Sequence, residues 1–224
     1  MLQWNCSKHD EYNNEYLEKK LKDIDICLLQ RCPENFLSIV RNKFKNVFHK
    51  NHSKEKSLVI ATNFEPFVKN NYYLTSVNLT EQSNDMNQSS HALSMTFNDT
   101  QLINFLPVYD SKYENVEITK HHTYRDIDYL FKNIVNNKNC IIVGDVHSSL
   151  NQHVEVESLV SQNNFTNNTN NLVTFAMKTD DQIHAINLDR VLTRGNINVS
   201  NFESYARPQD GHGHWAFTYT MEIK

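Results

Sequence analysis

Polar and titratable residues recur in this chain where short apolar runs end. The opening Met1-Leu2-Gln3-Trp4 gives way to Asn5, and Ile24 to Leu29, broken only by Asp25, gives way to Gln30-Arg31. A later run ends on Tyr109-Asp110, and Cys140 to Val143 ends on Gly144-Asp145, with His147 two residues on. Asp189 lies inside the apolar stretch Ile186 to Leu192, and His212 and His214 stand just before the last apolar stretch. Polar groups at the ends of neighbouring buried strands converge on one rim, where ligand sites form. Gly144-Asp145 also reads as a simple turn after a strand, and His212-Gly213-His214 as either a solvated loop or a metal pair. Asp189 needs more than a local reading, because a carboxylate buried in an apolar strand requires a partner.

These residues need strands to carry them. Met1 to Cys6 reads as a short strand. Tyr12 to Lys22 carries Tyr16, Leu17, Lys20 and Leu21 at helical spacing. Ile24 to Leu29 fits a buried strand, and Pro33 precedes a second helix bearing Phe36, Leu37, Val40 and Phe44. Ser57 to Thr62 reads as a strand, and Asn63 to Ser90 as polar and ambiguous, with an exposed loop over Ser83 to Ser90. His91 to Phe97 and Gln101 to Tyr109 form a hairpin about Asn98-Asp99-Thr100. His121 to Asn133 is a third helix. After Cys140 to Val143 a polar, Asn-heavy stretch runs to Asn171, followed by strands over Leu172 to Met177, Ile186 to Leu192 and Ala216 to Ile223. Helices interleave with short, often adjoining strands. That favours a two-sheet α/β sandwich with helices outside over a doubly wound parallel sheet. With no internal repeat and no linker, residues 1–224 read as one domain.

Composition narrows the function. The chain has 224 residues, 39% hydrophobic, with 12 Phe and 10 Tyr, enough to build a core. Four Gly leave no room for a Gly-rich phosphate loop. No apolar run approaches the ~18 residues of a membrane span, and the N-terminus turns polar too soon for a signal peptide. Four scattered Cys make no disulfide framework, so the reading is a reduced, intracellular protein, cytoplasmic or nuclear, without a membrane partner. A formal net charge of −4 gives no global basic field, so nucleic-acid contact would rest on a local patch. The 31 Asn reflect coding bias, and the sequons they create at Asn78 and Asn164 read as unglycosylated.

The order of the motifs resembles the endonuclease/exonuclease/phosphatase superfamily, the DNase I-like fold of four α/β/β/α layers. Leu2-Gln3-Trp4-Asn5 resembles the first strand, which ends on a functional Asn, in a spelling nearest the endonuclease domains of LINE-type retrotransposons. Leu28-Leu29-Gln30-Arg31 resembles the strand that normally ends Leu-Gln-Glu, and Leu106-Pro107-Val108-Tyr109 the strand ending in a functional Tyr. Val143-Gly144-Asp145-Val146-His147 resembles Gly-Asp-Phe-Asn, and Leu188-Asp189-Arg190 the strand whose Asp orients a catalytic His. Gly211-His212-Gly213-His214 resembles the terminal Ser-Asp-His. The resemblance covers the whole chain.

It implies metal-assisted phosphodiester hydrolysis, with Mg²⁺ or Mn²⁺ held by carboxylates and a His that meets the phosphate. Carried over by motif, Asn5, Tyr109, Asp145, Asp189 and His214 are catalytic, and Asp145 also ligates metal. Three positions depart: Arg31 replaces the metal-binding Glu, His147 replaces an Asn, and Gly213 replaces the Asp before the terminal His. Arg31 puts a permanent cation where the metal would sit. Glu34 or Asp210 could shift in, and His147, His212 and His214 could recruit a softer ion such as Zn²⁺. Alternatively Arg31, with His147 and His212, binds phosphate directly. The expectation is a degenerate phosphodiesterase, weak or inactive, that keeps a cleft for nucleic acid or another phosphate ligand. The alternatives are an active divergent endonuclease or phosphoesterase, and a structural protein-interaction module.

Overall fold

The computed structural model describes residues 1–6, 14–51, 56–66, 68–73, 91–107, 116–146, 154–179, 182–205 and 213–223. Fifteen strands and four helices run through them. They are β1 (Leu2–Asn5), α1 (Asn14–Lys20), β2 (Ile26–Pro33), α2 (Glu34–Lys43), β3 (Asn46–Asn51), β4 (Lys56–Thr62), β5 (Val68–Tyr73), β6 (His91–Phe97) and β7 (Thr100–Leu106). Then come α3 (Val116–Asn133), β8 (Asn139–Asp145), α4 (Val154–Gln162), β9 (Thr166–Asn167), β10 (Phe175–Thr179), β11 (Gln182–Ile186), β12 (Asp189–Arg194), β13 (Ile197–Tyr205), β14 (Gly213–His214) and β15 (Ala216–Ile223). One six-stranded sheet runs β13-β15-β1-β2-β4-β3, a second runs β5-β6-β7-β8-β12-β9, and β11-β10-β14 make a small third sheet.

Strand alternation sets the layers, since neighbouring side chains on a strand point to opposite faces. Leu2, Trp4, Cys27 and Leu29 pack under α1 and α2 with Leu17, Phe36 and Val40. Ile103, Phe105, Cys140 and Ile142 pack under α3 and α4 with Ile127, Phe131 and Leu159. The intervening positions, Ile26, Leu28, Leu102, Ile141, Val143 and Val191, fill the space between the sheets. This is the expected two-sheet α/β sandwich, layered α/β/β/α. Among the described residues no helix is long and apolar enough to cross a membrane.

Local chemistry explains the joints. Asn98 (φ 42°) and Asp99 (φ 64°) sit between β6 and β7 as a two-residue hairpin loop, and both conformations suit Asn and Asp. Pro33 caps α2, where its missing N–H costs nothing. Gly144 is fixed by crowding, because a Cβ there would run into the Phe105 carbonyl on β7. The four cysteines are free and buried, and burial pushes the Cys140 thiol up to about 12, which keeps it from acting as a nucleophile near neutrality.

Several segments differ from the reading of the sequence. Ile186 to Leu192 is not one strand: it breaks at Asn187-Leu188, giving β11 to the small sheet and β12 to a large one. Thr174 makes the break, its Oγ1 accepting the backbone N–H of both Leu188 and Asp189 at 2.9 Å. β3, β5 and β13 are polar edge or near-edge strands whose weak alternation hid them, and α4 lies within the stretch read as merely polar. The predicted exposed loop over Ser83 to Ser90 lies outside the described residues.

Candidate functional site

At one end of the sandwich the inward-facing positions turn from apolar to polar. β1 contributes Gln3 and Asn5, β2 Gln30, β7 Asn104, β8 Asp145 and β12 Asp189, all buried. The parallel pairing of β1 with β2 sets Asn5 beside Gln30, and the antiparallel pairing of β12 with β8 sets Asp189 directly opposite Asp145. Like charges facing across a ladder are destabilising, so a cation is needed between them. His214 supplies it. Its Nδ1 lies 3.0 Å from Asp189 Oδ2 and its Nε2 3.6 Å from Asp145 Oδ2. Asn5 Nδ2 donates to Asp145 Oδ2 at 2.6 Å and lies 3.4 Å from His214 Nε2.

The surroundings lock this group. Gln3 Nε2 donates to Asp189 Oδ1 at 3.2 Å and to Gln30 Oε1 at 3.0 Å, and Gln30 Nε2 donates to Asn104 Oδ1 at 2.5 Å. Asn104 Nδ2 donates to the Leu29 and Val59 carbonyls, tying the two sheets together. Thr174 holds the Asp189 backbone, and its own carbonyl accepts the Trp215 N–H at 2.7 Å, so one residue positions the segments of both Asp189 and His214. Phe175 meets the imidazole edge-on at 4.9 Å, and Trp4 Nε1 donates to the His214 carbonyl.

Burial is the largest influence on His214 and opposes its charge, but the carboxylates of Asp189 and Asp145 together outweigh it and raise its pKa. Burial raises the Asp189 pKa, assisted by the Asp145 charge and opposed by the His214 cation. Arg31 also acts on His214, lowering its pKa, which places the guanidinium within electrostatic range of the imidazole.

Arg31 reaches this end through an irregularity in β2. The register against β4 shifts between Leu29 and Cys32, and Arg31 adopts φ 52°. Regular alternation would give Arg31 the helix-side slot after Cys27 and Leu29; that slot is filled by Cys32, and Arg31 is left half-buried in a bulge. A left-handed non-Gly residue costs about 1–2 kcal/mol, and such strain concentrates at functional positions.

Of the residues read from the sequence, Asn5, Asp145, Asp189 and His214 meet in one cluster, with Arg31 in electrostatic reach. Tyr109, His147 and His212 lie outside the described residues, as does Asp210. Glu34 does not shift in as a substitute ligand: it is exposed and its Oε1 accepts from Arg41 Nη1 at 2.9 Å. Gln3, Asn104 and Thr174 escaped the reading. Asn104 carried the same signal as Asp189, a polar residue inside an apolar strand.

No protein-family model matches the sequence, and no curated protein does. Solved structures do. The TDP2 of D. rerio, complexed with single-strand DNA product, aligns at TM-score 0.70 and 14% identity over 99% of this chain and 98% of its own. An endonuclease/exonuclease/phosphatase family protein from Leptotrichia buccalis aligns at 0.70 and 10% over the full length of both. The chain has the endonuclease/exonuclease/phosphatase fold. A mannosyl-6-phosphatase of Bacteroides thetaiotaomicron shares that fold at TM-score 0.65 and 10% identity over both full lengths. At such identities the likeness carries the fold and not the reaction.

One ligand atom each from Asp145, Asp189 and His214 lie within 4.8 Å of one another, close enough to share a metal ion. Their other bonds argue against a hard cation. Asp189 has one oxygen on Gln3 and the other on His214 Nδ1, so neither it nor Nδ1 is open. Asp145 Oδ2 already accepts from Asn5 Nδ2, and the Arg31 charge acts on His214. Mg²⁺ keeps several waters and is held through one or two carboxylates; among the described residues both carboxylates of the cluster are already engaged by Asn5, Gln3 and His214, so the donor set does not fit it.

Proposed function

We propose that this chain is a degenerate phosphodiesterase-fold protein that binds a phosphate-containing ligand in the cleft at Arg31, Asp145 and His214 and hydrolyses it weakly or not at all. The carrying observation is charge balance. Two buried carboxylates, Asp145 and Asp189, stand with two cations, His214 with its raised pKa and Arg31 at the position of the lost Glu. Among the described residues of the site no surplus negative charge remains to draw in a divalent ion. A guanidinium, by contrast, suits a phosphate, giving paired, charge-assisted hydrogen bonds. Nucleic acid is the favoured source of that phosphate, given the DNA product held by the TDP2 neighbour and the retrotransposon-like spelling of β1.

The test has two arms. Binding of single-stranded and duplex DNA and of RNA is followed by fluorescence anisotropy against salt, where phosphate contacts give affinity that falls steeply with ionic strength. Arg31→Ala should weaken it. Nicking of supercoiled plasmid and of abasic DNA is compared in Mg²⁺, Mn²⁺ and EDTA, and the expected result is little or no cleavage. Absence of any salt-dependent binding overturns the proposal in favour of a structural interaction module. A second reading, a divergent active enzyme, is favoured by the three donors within 4.8 Å. EDTA-sensitive nicking that Asp145→Ala abolishes would establish it.

A further inference from the structure

The sandwich has a second opening at the end away from the cluster. Met1 lies at this opening and Asn5 in the cluster, four residues apart, or about 13 Å at ~3.3 Å per strand residue. The cleft there has a volume of about 790 Å³, within the ~300–1,000 Å³ typical of small-molecule sites. Its accessible walls are largely apolar. Ile24, Phe97 and Met221 are half-buried, and Phe64 and Ile223 stay 52% and 43% exposed. Large apolar side chains gathered around a concavity and left partly open mark a binding surface.

One charge is set into this wall. The Met1 ammonium, half-buried, donates to the Tyr219 carbonyl at 2.7 Å, and among the described residues its other two N–H groups have no acceptor. The lining also carries four carboxylates, all on exposed residues of the rim, and none bonds to the ammonium. Burial lowers the ammonium pKa, and the Asp25 charge offsets that only in part. Of the three lysines, Lys19 and Lys22 are exposed, and Lys20 is held with its Nζ 3.3 Å from the Tyr205 ring centroid. The rim is therefore balanced in charge, while the charge set into the wall is a cation with bonds to spare.

We propose that this cleft binds a small apolar carboxylic acid, its body against Phe64, Phe97 and Ile223 and its carboxylate on the Met1 ammonium. Two free N–H groups match the two oxygens of one carboxylate, and hydrogen bonds between charged partners are the stronger kind. The four rim carboxylates repel a second negative charge, which disfavours a phosphate dianion here. The ligand therefore differs in kind from the phosphate proposed for the other end, and the two sites are independent.

The probes are a matched pair, 2-naphthoate and 2-naphthamide, which share a body and a head-group shape and differ in charge. Affinities are measured by calorimetry on the untagged full chain at about pH 6, where amine and acid both carry their charge. Isoleucine methyl NMR locates the binding. Naphthoate should bind roughly tenfold more tightly than the amide, the low end for a hydrogen bond between charged groups, because the cleft is half-open to water. The Ile24 and Ile223 methyls should shift. Acetylating the α-amine removes the charge and keeps an N–H for the Tyr219 carbonyl, so it should erase the preference and leave naphthamide binding unchanged. Asp25→Asn removes a competing carboxylate and should tighten naphthoate roughly twofold without affecting naphthamide. Failure of both probes to bind, a preference that survives acetylation, indifference of naphthoate to Asp25→Asn, or methyl shifts elsewhere would each overturn the proposal.

Discussion

Replacing Asp189 with Asn keeps the shape of the site and removes one charge. The structure fixes the size of the effect. Asp189 Oδ2 and His214 Nδ1 are 3.0 Å apart. Opposite unit charges at that distance attract by about 5 kcal/mol at an effective dielectric of ~20, a ceiling because both charges are spread over several atoms. Hydrogen bonds to charged groups contribute about 1.5–3 kcal/mol in practice. The loss should depend on pH, and its sign follows from the folded state. His214 has a raised pKa, so the stabilisation is complete below its unfolded value of about 6.5 and disappears as pH rises through the folded value. The raised Asp189 pKa acts in the same sense from about pH 4 upward, because the folded state again holds its proton more tightly. Above both, a buried Asp189 anion faces a neutral imidazole, and Asn becomes the easier residue to bury. Urea denaturation should therefore show Asp189→Asn destabilised by about 2–3 kcal/mol at pH 6 and by less than about 1 kcal/mol at pH 9. The His214 imidazole, followed by NMR, should titrate at lower pH in the variant. An equal loss at both pH values, or an unchanged titration, would refute the charge pairing.

Other substitutions test the frame around the site. Asn5→Asp places a second carboxylate where an amide donates to Asp145 at 2.6 Å, and should cost about 3–5 kcal/mol at neutral pH in urea melts, with partial recovery in acid. Thr174→Val leaves the buried N–H groups of Leu188 and Asp189 without their acceptor, and should cost at least about 2 kcal/mol and speed amide exchange at both positions. Gly144→Ala forces a methyl into the Phe105 carbonyl, and should lower stability by about 1–3 kcal/mol by the same melts.

What the sequence disclosed depended on how each strand is buried. β8 is buried on both faces and reads as a plain apolar run, while β15 alternates Phe217 and Tyr219 inward; both were legible. β3 has no such contrast, half-buried up to its exposed last residue, and nothing in Asn46–Asn51 announces a strand; β13 does alternate half-buried and exposed residues, but the register shift between Ser200 and Glu203 breaks the pattern. Asp189 stood out because a carboxylate in an apolar stretch is costly unless partnered, but its grouping with Asn5, Asp145 and His214 came from the order of the motifs and the resemblance they carry. The same cost applies to Gln3 and Asn104, but amides carry no charge and drew no notice. Thr174 could not be found this way: its importance lies in backbone bonds to two segments distant in the chain. The bulge at Arg31 was equally hidden, since only the register against β4 shows that Cys32 has taken the helix-side slot.

That bulge also decides how a metal site can be rebuilt. Restoring both lost carboxylates, Arg31→Glu with Gly213→Asp, is what the motifs suggest. The two positions are not equivalent. At 31 the backbone already tolerates a side chain at φ 52°, so Glu inherits the strain Arg31 bears. Gly213 sits at φ 105°, which side-chain-bearing residues rarely adopt, and Asp there should cost at least about 1–2 kcal/mol and shift the backbone next to His214. Arg31→Glu alone changes the cluster from balanced charge to three carboxylates against one imidazolium, an excess that a divalent ion would neutralise. Calorimetry should find Mn²⁺ binding in Arg31→Glu and none in the unaltered protein, and adding Gly213→Asp should lower the melting temperature with little further gain in affinity. If Arg31→Glu binds Mn²⁺ no better than the original chain, charge at position 31 is not what keeps metal out. If the double variant is as stable as the single, the conformation at Gly213 imposes no constraint.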